Sequence, residues 1–431
     1  MKAALAYISA RAQKQATLGP LINEYTPVRK ALNLVMARVR INKKMESINT
    51  LHSYGRILGA DLVAPEDVPA AQTSHMDGYA VISSDLRGAK PSEPNTLRIV
   101  GTIGPGDRSK RRLASGETFA VATGGILPAG ADAVVPVESA EVEGTEVRVR
   151  FSPSRGEHIY RAGQDIRRGE LILPEGHRIR AQDVGILVSL GYREVRVRRR
   201  VRVAMLATGN ELTPANRPRT GKTVESHSRI FLRLAEALGC ATLDMGIARD
   251  DSSALRTALG GALAGSDLVV TLGGTSAGKR DLVVSAVMDL RPDALVHGLR
   301  LDRGRVTGLA SVKGRPILML PGPIQAATNA FLVVGVPLIR ELAGSREADL
   351  SVPSTLGAPW EARKRFSDFE KVVYVKLRAG PPAVAEPITG ETESLKLLTD
   401  ADGYLLVPEN VKRLETGDRV NVRLVPGFSF A

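Results

Sequence analysis

A chain of 431 residues with 43% hydrophobic content is too long for one core and predicts roughly three or four domains. Its net charge of +13 favours anionic ligands, but with 4% aromatic residues and no duplex-reading motif, stacking platforms are scarce and nucleic acid is not the expected partner. No uncharged run reaches the ~20 residues of a membrane span, and one cysteine excludes an intrachain disulfide or a cysteine-ligated zinc.

In chain order, residues 1–20 read as a poorly specified extension without a cleavage pattern, so a soluble, cytoplasmic protein is expected. Helical periodicity runs from about Leu21 to Glu66, as in residues 28–39, with a second helical piece near Ser53 to Leu62. Between about Val68 and Phe151 the pattern changes to short β-type runs broken by Gly and Pro, which predicts an inserted β domain over 68–151. Residues 152–198 return to turns and one helix over 181–190; they are expected to rejoin 21–67 as one discontinuous mixed α/β domain. From 199 to 346 strands and helices alternate, predicting a parallel sheet covered on both faces, a doubly wound α/β domain. Residues 350–426 read as all β, with strands of a C-terminal barrel. Cys240 reads as a small buried hydrophobe.

Three loops in the alternating segment carry the chemistry. Gly273-Gly274-Thr275-Ser276-Ala277-Gly278, Pro321-Gly322-Pro323 and Thr208-Gly209-Asn210-Glu211 each follow an apolar, strand-like run. Small residues at a strand end let backbone amides approach a ligand, and a helix N-terminus beyond adds to the attraction for negative oxygens. Together the loops read as one anion-handling site at the carboxyl ends of the strands. Glycine loops are also common as simple turns, so the convergence of three matters more than any one.

Five motifs occur in a telling order: His75-Met76-Asp77-Gly78-Tyr79-Ala80-Val81, Ala122-Thr123-Gly124-Gly125, Thr208-Gly-Asn-Glu-Leu212, Gly273-Gly-Thr-Ser-Ala-Gly278 and Leu320-Pro-Gly322. In this the chain resembles the molybdopterin molybdenumtransferases, the MoeA proteins and gephyrin E domains, over nearly its whole length. The resemblance implies a multidomain α/β plus β fold: a molybdopterin-binding α/β domain, an inserted β domain, an elongated mixed helical domain and a C-terminal β-barrel, in a homodimer. It implies insertion of molybdate or tungstate into adenylylated molybdopterin with release of AMP, assisted by Mg2+ or another divalent cation, with a molybdopterin adenylyltransferase as upstream partner. It also implies that the cleft is completed by the Met-Asp-Gly-Tyr-Ala domain of the other subunit.

Carried over by motif, the catalytic positions are Asp77, Thr123, Glu211, Asp250 and Asp281, with Asp250 and Asp281 as metal ligands. Pterin and phosphate would be held by Thr208, Gly209, Gly273, Gly274, Ser276, Gly278, Pro321 and Gly322. Each acid has a plainer reading. Asp77 could form a turn, Glu211 could start a helix, Asp250 could cap the next helix with Asp251 equally eligible, and Asp281 could cap the helix after the glycine loop. The departures matter too. The family's Gly-Asp-x-Asp is Gly278-Lys279-Arg280-Asp281 here, its Lys-Pro-Gly-Lys is Asp302-Arg303-Gly304-Arg305, and its Asp-Ser-Asn is Glu225-Ser226-His227. Lys279, Arg303 and Arg305 are expected to bind the oxyanion in place of the family lysines, because a guanidinium fork suits two oxygens. His227 reads as a helix-start residue or a base. The alternative for the whole chain is a non-catalytic or re-purposed pterin-binding paralogue of the same fold.

Overall fold

Residues 22, 24–41, 43–274, 281–347, 349–390 and 394–426 are described by a computed structural model, and they fall into two compact units. One comprises Ala60–Glu175 with Gln182–Arg193; the other comprises the chain before it, Gly176–Ala181, and everything from Glu194 onward.

The smaller unit is organised by a six-stranded sheet in the order 133–136, 78–81, 117–121, 95–103, 146–149, 140–143. Successive residues along a strand point to opposite faces. Ala80 and Val134 accordingly join one apolar cluster with Phe119 and Val121, while Val81, Ala133 and Val135 join another with Val147 and Val149. Gly78 pairs with Val121 on one side and Pro136 on the other. A β-carbon there would lie 2.0 Å from the Val135 carbonyl oxygen, so the middle of the Met-Asp-Gly-Tyr motif admits only glycine.

In the larger unit a six-stranded sheet runs 241–248, 202–208, 268–272, 315–320, 308–312, 294–297. The first four strands are parallel; 308–312 runs antiparallel to both its neighbours, a local departure from the parallel sheet expected. The difference arises at Lys313-Gly314, a two-residue turn that returns the chain as a hairpin where a parallel connection would need a crossover. Both faces are covered. Helices His227–Ala237 and Ile324–Ala330 supply Phe231, Leu232, Ile324 and Ala327 to one core, while Ser252–Gly265 and Leu282–Asp289 supply Leu255, Leu259, Val283 and Val287 to the other.

Helical structure continues from Ile324 to Ala343 through a π-type segment at Phe331–Gly335, long and apolar enough to cross a membrane but 78% buried inside the protein. Its composition is explained by core packing. Strands 351–356, 383–387, 371–378, 403–407 and 419–424 close into a barrel. Tyr374 of the barrel donates a buried hydrogen bond of 2.8 Å to the Asn329 side-chain oxygen.

Two local expectations differ from the structure. Near Ser53 to Leu62 there is a single turn at Thr50–His52 and no helix, since Gly55 at φ 73° leaves the right-handed region. The strand Met45–Asn49 pairs instead with Glu194–Arg198. In the barrel segment the short helix Leu395–Asp400 interrupts the β pattern; the Ser394 hydroxyl accepts from the Leu397 amide and caps it.

Candidate functional site

A cleft of about 700 Å³ opens at the carboxyl ends of the strands 202–208, 268–272 and 315–320. Its wall is built from the three loops expected to act together: Thr208, Gly209 and Glu211 from the first, Gly273 and Gly274 from the second, Gly322 and Pro323 from the third. Parallel strand order explains why, since adjacent strands of one direction deliver all their exit loops to one edge. The glycines are needed where they stand. Gly273 and Gly274 have φ of 88° and 65°, and a β-carbon at Gly273 would meet the Thr208 carbonyl oxygen at 2.6 Å.

Asp250 joins this wall. Its carboxylate accepts from the Thr208 hydroxyl at 2.9 Å with one oxygen and from the Asn210 amide at 3.0 Å with the other. The Asn210 side-chain oxygen accepts in return from the Asp250 amide at 3.3 Å, so the two loops are tied in both directions. Capping of the following helix falls to Asp251, whose carboxylate accepts from the Ala254 amide at 2.8 Å. Those hydrogen bonds, that of the Ser253 hydroxyl first, hold the Asp251 carboxyl below the usual carboxylate range. Asp250 is thereby left to face the cleft.

Glu211 is exposed on the same wall, and a strand, Leu212–Thr213, follows it where a helix start had been a competing reading. Among the described residues its carboxylate forms no hydrogen bond or ion pair. Glu225 also lines the cleft, and sequence reasoning assigned it no role. It is 6% exposed, accepts from the Ser228 amide at 2.8 Å and from the Ser228 hydroxyl at 2.6 Å, and so anchors the helix that begins with His227, another lining residue. The signal was an acid directly before Ser226-His227, at a helix start.

The remaining expected residues lie elsewhere. Pro321 is buried and is not among the lining residues. Asp281 is fully enclosed: one carboxylate oxygen accepts from the Val284 amide at 2.9 Å, capping the helix, and the other lies 3.3 Å from Nε2 of His297. The carboxylate, expected as a metal ligand, is not part of the described cleft lining, while its neighbour Leu282 is. Arg303 and Arg305 are also outside the wall. Arg303 donates to the Gly390 carbonyl at 2.8 Å and to the Gln325 side chain, and Arg305 stacks 4.9 Å from the Phe366 ring centroid. Their forks are taken up by the barrel segment and the 324–330 helix, and neither belongs to the described lining, where the oxyanion role was expected of them. Ser276, Gly278 and Lys279 lie outside the described residues.

In the smaller unit Asp77 and Thr123 meet directly. The pairing of Gly78 with Val121 brings their flanks together, and the Thr123 amide and hydroxyl donate to one Asp77 oxygen at 2.7 and 2.8 Å. These bonds, the amide's first, hold the exposed Asp77 carboxyl below its ordinary range.

The cleft's charge says what it suits. Its described lining holds three carboxylates and no lysine or arginine. Such a wall attracts a phosphate accompanied by a divalent cation better than a bare anion. No group of three or more His, Cys, Asp or Glu is placed to hold a metal among the described residues. Glu211 and Asp250 on one wall nevertheless fit Mg2+, which takes one or two carboxylates and completes its shell with water and phosphate oxygens.

Comparison with known proteins agrees along the chain. Residues 26–191 match the MoeA N-terminal region (domain I and II), 204–341 a probable molybdopterin binding domain, and 354–425 the MoeA C-terminal region (domain IV). Molybdopterin molybdenumtransferase 2 of Mycobacterium tuberculosis is 30% identical over 384 residues, 86% of this chain and 92% of the relative. A molybdopterin molybdenumtransferase of Staphylococcus epidermidis is 26% identical over 413 residues, 95% of this chain and 98% of the relative. The crystal structure of a molybdopterin biosynthesis MoeA protein from Pyrococcus horikosii superposes with a TM-score of 0.81 at 29% identity, covering 94% of this chain and all of that one. With family models matching most of residues 26–425 and a relative 30% identical over 86% of its length, the chain belongs to the molybdopterin molybdenumtransferase family.

Proposed function

We propose that this chain is a transferase of molybdenum cofactor biosynthesis that inserts molybdate, or tungstate, into adenylylated molybdopterin and releases AMP. The observation that carries the reading is the meeting of Asp250 and Glu211 with the glycine pair 273–274 and Gly322 around one cleft at the strand ends. The Gly274 and Gly322 amides bind phosphate oxygens of the substrate, while the Gly273 amide is held by the Leu320 carbonyl at 3.1 Å. Asp250 and Glu211 would hold the divalent cation, which when bound supplies neutralisation of charge on the phosphoric anhydride as it breaks. Asp250 also fixes the Thr208 hydroxyl and the Asn210 amide, so the wall keeps one shape before substrate arrives. Asp281 acts as a positioning residue that sets the start of the helix beside Leu282, with its partner His297 behind it.

The active form is a homodimer in which Asp77, presented with Thr123 at an exposed edge, acts on substrate held by the partner subunit. The exposure of the Asp77–Thr123 pair on loops flanking paired strands supports this, since binding and catalytic groups gather on such loops. A molybdopterin adenylyltransferase supplies the substrate, and the address is cytoplasmic. The test is reconstitution: purified protein, adenylylated molybdopterin, magnesium and either oxyanion. AMP release that depends on the oxyanion, with formation of cofactor able to activate an apoenzyme, is expected; substrate that is bound but never cleaved would leave only the pterin-binding alternative.

A further inference from the structure

The same three strands that end at the glycine loops begin at a second cleft. It measures about 320 Å³ and lies where Arg202, Leu268 and Arg315 start their strands, at the opposite edge of the sheet. Five cations line it, Arg40, Lys44, Arg199, Lys313 and Arg315, against one carboxylate, Asp267. That carboxylate is already engaged: Arg199 donates to its two oxygens at 2.8 and 2.9 Å, and the Arg202 amide donates to it at 2.8 Å. Arg315 gives its hydrogen bonds to the carbonyls of Leu263 and Ser266, capping the end of the helix Ser252–Gly265, and forms no ion pair with a carboxylate among the described residues. Arg40 and Lys313 form no ion pair with any described residue.

Folding does not ask for a lysine at the turn that borders this cleft. Lys313 sits at φ 50° and Gly314 at φ 76°, the first and second positions of a two-residue hairpin turn. Both positions need a positive φ, which Asn or Asp adopts more readily than Lys, so a lysine there adds charge at a conformational cost. Arg40 is held against that turn, its amide donating to the Gly314 carbonyl at 2.7 Å. Arg40, Lys313 and Arg315 face one cleft without a carboxylate partner among the described residues, and an anion there relieves their mutual repulsion. The described lining offers no aromatic ring for a base to stack on, and only Ile41, Val201 and Leu342 as large apolar contacts. Recognition would therefore rest on charge.

We infer that this basic cleft is a second ligand site, distinct from the pterin cleft, for the phosphate chain of a small di- or triphosphate. Calorimetric titration with pyrophosphate and with ATP, in EDTA so that no divalent cation bridges phosphate to the acidic cleft, tests it. Wild type and Asp250→Asn should bind pyrophosphate alike, while Arg40→Ala with Lys313→Asn should bind roughly tenfold more weakly. The asparagine suits the turn, so unchanged thermal unfolding of that variant keeps the comparison valid. ATP binding no tighter than pyrophosphate would identify the bare phosphate chain as the ligand; tighter ATP binding would identify a nucleotide. Equal binding by wild type and the double variant would overturn the proposal, as would a short RNA that displaces pyrophosphate completely.

Discussion

Asp250 and Asp251 are neighbours with separate employments, and the backbone decides between them. Asp251 sits at φ −138° and ψ 131°, the extended geometry of a helix N-cap, so its carboxylate folds back onto the Ala254 amide while Asp250 turns to Thr208 and Asn210. In sequence the two acids before Ser252-Ser253 were equivalent, because each stands within reach of a free amide of the first turn. Asp251→Ala should lower the melting temperature by roughly 2–4 °C and leave turnover intact, checked by calorimetry and AMP release. His297 makes the second residue-scale case. Burial pushes its imidazole below the ordinary 6.5, with the Asp281 charge and a hydrogen bond from the imidazole to the Val306 backbone opposing. Folded His297 is then neutral where the unfolded chain takes up a proton, so stability is fully present above pH 6.5 and declines on acidification through the lowered folded value. Denaturant titrations across this range should show that decline, and His297→Gln should flatten it.

Elements explain what the sequence could and could not deliver. The alternating strands and helices of 199–346 were legible because a buried parallel strand is an uninterrupted apolar run, as in Val203–Ala207, and its exit loop is marked by glycine. The antiparallel return at Lys313-Gly314 was not legible, since lysine is an unusual first residue for such a turn. Arg303 and Arg305 show a different limit: sequence gives their charge, but only the fold shows Gly390 and Phe366 receiving it. The glycine loop yields the prediction at this scale. Gly274 lies at φ 65°, and an added β-carbon would approach Val283 at 2.7 Å and the Thr208 methyl at 2.9 Å. Gly274→Ala should cost about 1 kcal/mol or more in stability by urea unfolding and, by moving Thr208, weaken substrate binding as a raised KM.

At the scale of the whole molecule, Asp77 and Thr123 belong to one compact unit while Asp250 and Glu211 belong to the other. Assembly across a dimer makes a specific prediction. Asp77→Asn and Asp250→Asn chains, each inactive alone, should regain about a quarter of wild-type activity when unfolded, mixed equally and refolded, because half the dimers would be mixed and each would hold one intact site. No recovery in refolded dimers would place both acids of a site in one chain. The central claim, that the cleft holding Asp250 is where the anhydride is cleaved, is tested most directly by single-turnover AMP release from adenylylated molybdopterin with magnesium and molybdate. The account predicts release by wild type and by Asp251→Asn, and a rate lower by roughly two orders of magnitude for Asp250→Asn with its fold intact; equal rates for Asp250→Asn and wild type would contradict it.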